Sequence, residues 1–324
     1  MKPYVNKIIA LIFTLFLVSV ADFFIFQVIP GDPVLIILGT DGNEERREEV
    51  EHELGLDKGV VERYISWVGG ALKGDFGKSY SYYRMTGERM DVSEIIGKML
   101  PVTVWLAVVS MTMLITVSLP LGILWSMVKN KYLDGILNVL NQICMAIPSF
   151  FLGLIVMYVF GIMLKTFTPG MYVGYDEDFG KFITYMIYPA LAICVPKIAM
   201  TVRFLRNSLC AEEKKDYILT ASAKGLSKGR IAFWHVLPNA LIPVLTFLGN
   251  ILAEALAGSV VVEQVFGLPG IGRLLITCIG RRDFPVVQAI ILYIASAVVI
   301  TYFVVDMLYR VIDPRIRRGY EEKA

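Results

Sequence analysis

Lys197 and Glu254 sit deep inside long apolar runs, where an ionised side chain costs a few kcal/mol unless it faces water or protein. They are therefore candidates for lining an aqueous pathway, with a Lys197 to Glu254 ion pair as one arrangement. Asp22, in the first apolar run, is expected to make an interhelical hydrogen bond, and Asp306, near the end of the last, to brace the tail. Catalytic chemistry finds no foothold. There is no Ser/His/Asp order, no clustered carboxylates and only two histidines. Cys144, Cys194, Cys210 and Cys278 are far apart with no C-x-x-C pair, so neither a metal site nor a disulfide framework is indicated. Gly74-Asp75-Phe76-Gly77-Lys78-Ser79 has the composition of a phosphate loop but not the G-x-x-x-x-G-K-[ST] spacing, and reads as a structural turn. The glycines at 267, 270 and 272 suggest a dinucleotide fingerprint but lack the β-α-β context. The expectation is a chain that is not an enzyme, binds no ATP itself and has no cofactor.

The elements around these charges are membrane helices. Hydrophobic residues make up 56% of the 324, the mean hydropathy is +0.62, and the net charge is only +2, which argues against nucleic acid as a partner. The run 8–29 is long enough to cross a hydrocarbon core of about 30 Å. It is read as the first transmembrane helix (1–29) rather than a cleaved signal, which would have a shorter apolar core and a small-residue cleavage site. Five more runs follow at 102–128, 136–164, 182–202, 236–262 and 284–308. The fold class is thus an all-α membrane protein with six transmembrane helices, the last five forming a core over 101–310. Residues 30–100 are polar. They open on Pro30-Gly31-Asp32-Pro33, continue through a charge-dense segment, 44–53, with helical spacing, and form the region after the first helix. Six crossings put both termini on one side. The short loops beside the second and third runs (Lys129, Lys131), between the fourth and fifth (Arg203 to Arg230) and in the tail 311–324 (Arg315, Arg317, Arg318) carry most of the basic residues, so that side is cytoplasmic and 30–100 is extracytoplasmic. Pro120, Pro148, Pro189, Pro196 and Pro243 favour kinks within the runs.

The most informative stretch lies between the fourth and fifth runs, at 212–241. Residues 212–224 contain no Pro or Gly and place Tyr217, Ala221 and Lys224 on one helical face. Gly225 ends that helix as a C-cap glycine, and Ser227 is the N-cap of a second short helix over 228–235. Lys214, Lys215, Lys224, Lys228 and Arg230 would also suit a loop resting on anionic lipid, but lipid contact does not call for Gly225, His235, Leu237 and Pro238 at fixed offsets.

Those offsets, ten residues from Gly225 to His235, twelve to Leu237 and thirteen to Pro238, resemble the cytoplasmic loop by which permease subunits of ATP-binding cassette importers dock into their ATPases. Asp216-Tyr217, Thr220-Ala221, Ala223-Lys224-Gly225-Leu226 and His235 resemble the dipeptide, oligopeptide and nickel branch in particular. Leu54-Gly55-Leu56-Asp57, the 74–79 turn, Phe266-Gly267-Leu268-Pro269-Gly270, Arg282-Asp283-Phe284-Pro285 and Asp313-Pro314-Arg315 are also similar to that branch, so the resemblance runs from Pro30 to Arg317.

The resemblance implies a coupling loop, 207–238, with Tyr217, Ala221, Lys224, Gly225, Leu226, His235, Leu237 and Pro238 as its coupling residues. Tyr217, Ala221 and Leu226 would be apolar anchors for the ATPase. It implies a re-entrant, turn-rich external segment containing Glu263, Phe266, Pro269 and Gly270. The implied partners are a second homologous permease, two cytoplasmic cassette ATPases, an extracytoplasmic substrate-binding protein and the lipid bilayer of a bacterial or archaeal plasma membrane. Cargo stays open among di- and oligopeptides, nickel or its chelates, and glutathione-like compounds. An ion-gradient-driven transporter is the rival from another class. It would show inverted repeats and acidic relays, and only Asp22 and Glu254 are available for those.

Overall fold

The computed structural model describes residues 2–29, 32–38 and 44–312. The Pro30-Gly31 half of the first turn signal and the tail motif 313–317 lie outside the described residues. In chain order the helices are α1 (Lys2–Val28), α2 (Pro33–Leu38), α3 (Glu44–Glu53), α4 (Val60–Ala71), α5 (Tyr80–Thr86), α6 (Val92–Ser126), α7 (Lys131–Ala146) and α8 (Ser149–Val156), which continues as a π turn over Met157–Met163. Then come α9 (Phe179–Glu212), α10 (Asp216–Ala223), α11 (Lys228–Ile231), a π turn over Ala232–Val236, α12 (Leu237–Leu256), α13 (Val260–Phe266), α14 (Ile271–Arg281) and α15 (Phe284–Ile312). Among the described residues the β contribution is one isolated bridge, Lys78 to Asp91.

Five helical segments are long and apolar enough to cross a membrane, or up to seven if each of two bent pairs counts as one. The third apolar run is one of those pairs. Ile147, held extended by the proline that follows it, and the extended Pro148 separate α7 from α8, and the two meet at 92°. The kink expected at Pro148 is therefore a break, whereas Pro189 and Pro196 stay inside α9 and Pro243 inside α12. The second run also differs. α6 starts ten residues early, at Val92, where the Asp91 carbonyl accepts the Ile95 amide and Glu94 complements the positive helix end. The fifth run stops at Leu256 rather than 262, ahead of a left-handed Gly258 with φ +94°. The segment 260–281, expected to be turn-rich, is two helices joined by residues 267–270.

The chain packs as two compact units. One comprises residues 1–103 and 269–299. Its core gathers Val92 with Ile271, Cys278, Val286, Val287 and Ile290, all nearly inaccessible. Asp22 is 3% exposed there, and among the described residues neither carboxylate oxygen has a hydrogen-bond partner, so the interhelical bond expected of it is not made there.

The second unit comprises 104–268 and 300–324. α9 is its spine, against which α7, α8 and α12 pack, with Leu205, Leu209, Val236, Ala240 and Val244 at the centre of one cluster. Asn130 caps α7 by accepting the Tyr132 amide at 2.9 Å, and Asp178 caps α9 by accepting the Lys181 amide at 3.1 Å. Asp134 ties three helices at one point. Its Oδ1 accepts the Trp125 indole N–H and the Arg206 guanidinium, each at 2.8 Å, while that guanidinium lies over the Trp125 ring.

Candidate functional site

The stretch after α9 is an elbow built on a tyrosine. Glu212, 6% exposed at the end of α9, holds Lys215 at 2.6 Å with one carboxylate oxygen and lies 2.6 Å from the Tyr217 hydroxyl with the other. The hydroxyl is also 3.1 Å from the His235 carbonyl and receives the Asn239 amide at 3.3 Å. Asn239 donates to that same carbonyl at 2.7 Å. Pro238 has no N–H to give to the preceding turn, and the π turn over Ala232–Val236 shifts the register just before it. The side chains of Asn239 and Tyr217 both converge on the His235 carbonyl within this irregular stretch.

Gly225 closes α10 with φ +80°, the left-handed conformation that a side chain disfavours. Ser227 stands at the N-cap of α11 as expected, but its side chain makes no cap bond. The second limb is not a separate short helix either, since α11, the π turn and α12 form one continuous segment, Lys228–Leu256.

Placement of the expected coupling residues is mixed. Lys224, Gly225 and Pro238 are exposed, while His235 and Leu237 are partly buried. The picture of Tyr217, Ala221 and Leu226 as anchors pointing at a partner needs correction. Ala221 is 7% exposed, Leu226 packs on the Leu205 cluster and Tyr217 turns inward to Glu212. These three seat the elbow on its own helices, and the outward apolar side chain of α10 is Leu219, 68% exposed.

The charges flagged for a pathway do meet. Lys197 Nζ lies 2.5 Å from Glu254 Oε2, joining α9 to α12. Both line a cavity of about 300 Å³ in the second unit, together with Ser110, Pro148 and Ser149. In the segment expected to be external, Glu263 and Phe266 are fully buried in α13, and the Phe266 carbonyl accepts the Tyr185 hydroxyl at 2.9 Å. Gly153 lies so close beneath that a Cβ there would come within 3.3 Å of the Phe266 ring. Pro269 is partly buried, and Gly270 leads α14 with an extended backbone.

Asp283 was not singled out from the sequence as a site residue. In the unit made of 1–103 and 269–299 its carboxylate, 1% exposed, accepts Ser79 Oγ at 2.5 Å, the Tyr80 amide at 3.0 Å, and the Ser81 amide and Oγ at 3.1 and 2.5 Å. Burial first, and the Asp283 charge second, push the Tyr80 phenol up to about 12. The 74–79 turn and the Arg282-Asp283-Phe284-Pro285 motif are therefore two halves of one clamp. An acidic residue before Phe-Pro is visible as a helix start, but its partners lie some two hundred residues away. Among the described residues, no three His, Cys, Asp or Glu side chains converge as metal ligands.

Comparison with known proteins places this geometry. The family described as binding-protein-dependent transport system inner membrane component matches residues 118–318, and its N-terminal companion matches 1–107. A probable peptide ABC transporter permease of Sinorhizobium fredii is 31% identical over 96% of this chain and 98% of its own. The oligopeptide transport system permease AppB of Bacillus subtilis is 33% identical over 92% and 94%. The glutathione transport system permease GsiC of Escherichia coli is 34% identical over 97% and 98%. With helices fit to cross a bilayer, the chain belongs to the binding-protein-dependent permeases of ABC importers, in the dipeptide and oligopeptide branch, as a multi-pass inner-membrane transport subunit whose ATPase, permease and binding-protein partners are separate.

Proposed function

We propose that this chain forms half of a translocation pathway for short peptides, paired with one second permease, two cytoplasmic cassette ATPases and one external binding protein. The observation that carries the coupling role is the elbow: a short helix, α10, seated by Tyr217, Ala221 and Leu226, exposed at Lys224, and joined by the Gly225 turn to α11, which runs through a π turn into α12. A push on α10 is then passed to the ends of α9 and α12 together, the helices that carry Lys197 and Glu254. Five long helices plus the bent pair α7 and α8 count to six crossings, with α13 and α14 as an external re-entrant pair. The distribution of Lys and Arg in the short loops supports cytoplasmic termini and a cytoplasmic elbow in a bacterial or archaeal plasma membrane. Peptide cargo draws its support from relatives named for peptide, oligopeptide and glutathione transport.

The test is uptake by the complex reconstituted with its own ATPases and binding protein, comparing labelled dipeptides with chelated nickel. ATP-dependent dipeptide accumulation is the expected result, and nickel uptake in its place overturns the peptide reading. A cysteine introduced at Ala223 should react with an impermeant maleimide only from the cytoplasmic side, and labelling from outside overturns the coupling role.

A further inference from the structure

The cavity holding the ion pair has a polar group still in need of a partner. Ser110 lines it, is 4% exposed, and its Oγ makes no hydrogen bond among the described residues, although its own carbonyl accepts the Cys194 thiol at 3.1 Å. A buried hydroxyl left unpaired is unfavourable, and a solute that supplies its partner recovers that loss. The ion pair itself is lopsided, with the Lys197 side chain 24% exposed and that of Glu254 65%. Lys197 gives Glu254 one of its three donors, and Glu254 meets it through one of two oxygens. Met111, Met145 and Met200 add apolar wall of unbranched, adaptable thioethers that suit side chains of varied shape. At about 300 Å³ the cavity stands at the small end of ligand pockets, room for two or three residues.

We propose that Lys197, Glu254 and Ser110 form a subsite for compact zwitterionic peptides, an inference that rests on the peptide-permease reading above. The Lys197 ammonium takes the terminal carboxylate, the Glu254 carboxylate takes the terminal ammonium, and Ser110 Oγ meets the peptide group. One protein ion pair is exchanged for two ligand ion pairs, so each of the four charges keeps a counterpart while the solute is bound. On departure of the solute the Lys197 to Glu254 pair closes again. A peptide capped at either end leaves one of the two protein charges without a counterpart and is disfavoured.

The experiment uses the complete complex. In equilibrium dialysis without binding protein, labelled Ala-Ala should bind at about millimolar concentration, and N-acetyl-Ala-Ala and Ala-Ala-amide roughly tenfold or more weakly, the loss expected for one charge-assisted contact. Lys197→Met should abolish discrimination against the amide, Glu254→Gln discrimination against the acetylated form, and Ser110→Ala should weaken all three peptides alike. Equal binding of the three peptides by the wild type, or no Ala-Ala binding, overturns the subsite. So do variants that bind less of everything at unchanged ratios, the mark of a purely structural ion pair. If a variant fails to assemble, the wild-type ratios decide alone. ATP-driven Ala-Ala uptake in proteoliposomes separates the two readings. Uptake without end discrimination in dialysis sinks the subsite only, whereas absence of uptake sinks the peptide assignment and the subsite with it.

Discussion

Asp283 and Tyr217 each tie a loop to a long helix, but with different reserves. The Asp283 carboxylate is sealed, and four donors from three consecutive residues converge on it. Tyr217 has one hydroxyl between Glu212, the His235 carbonyl and Asn239, while the faces of α10 and α11 around it remain open at Leu219, Lys224 and Arg230. The clamp holds one geometry. The elbow holds its own shape and leaves an open surface at Leu219, Lys224 and Arg230, as the proposed coupling role requires.

This contrast can be broken most directly at Asp283. Asp283→Ala orphans several buried donors at once and should cost about 3–6 kcal/mol, read as a large fall in the thermal midpoint of the detergent-solubilised complex. An unchanged midpoint would remove the distinction between clamp and elbow. Tyr217→Phe deletes a single hydroxyl bonded to a charged partner and should cost about 1.5–3 kcal/mol locally, visible as faster proteolysis between α10 and α12 with global stability nearly kept. A global loss as large as that of Asp283→Ala would make the two regions equivalent.

Gly225→Leu forces a side chain into a left-handed turn, at roughly 1–2 kcal/mol. Nothing lies within 4 Å of where its Cβ would stand, so the effect is conformational rather than steric. The variant should insert and assemble yet lose ATP-driven uptake. Normal uptake with normal ATPase co-purification would show that the elbow's turn plays no part in coupling.

The smallest effect is expected at the cap of α9. The Lys181 amide and the Lys181 side chain hold Asp178 below its ordinary value of 3.8. A depressed carboxylate pKa contributes stability that is complete above 3.8 and is lost as pH falls through the lower folded value. The difference in thermal midpoint between wild type and Asp178→Ala should be constant at neutral pH and shrink as pH falls below 3.8. A difference that grows on acidification would contradict the cap.

Membrane class, the α3 boundaries, the left-handed stop at Gly225 and the peptide-permease family were all legible along the chain. Each depends on signals that act over a few residues: apolar run length, charge spacing, a glycine where a helix must turn, and motif offsets. Packing decided the rest. Whether Pro148 bends or breaks its run depends on what neighbouring helices supply, and here α7 and α8 part while α9 absorbs two prolines. Tyr217, Ala221 and Leu226 share a region with Lys224, yet only their seat on α9 and α12 shows that three face in and one faces out. The 57 residues between Lys197 and Glu254, and the 204 between Ser79 and Asp283, give no local sign of contact. A hydrogen bond or ion pair of that span forms only where the long helices bring the backbone together, which is the one thing a linear pattern does not encode.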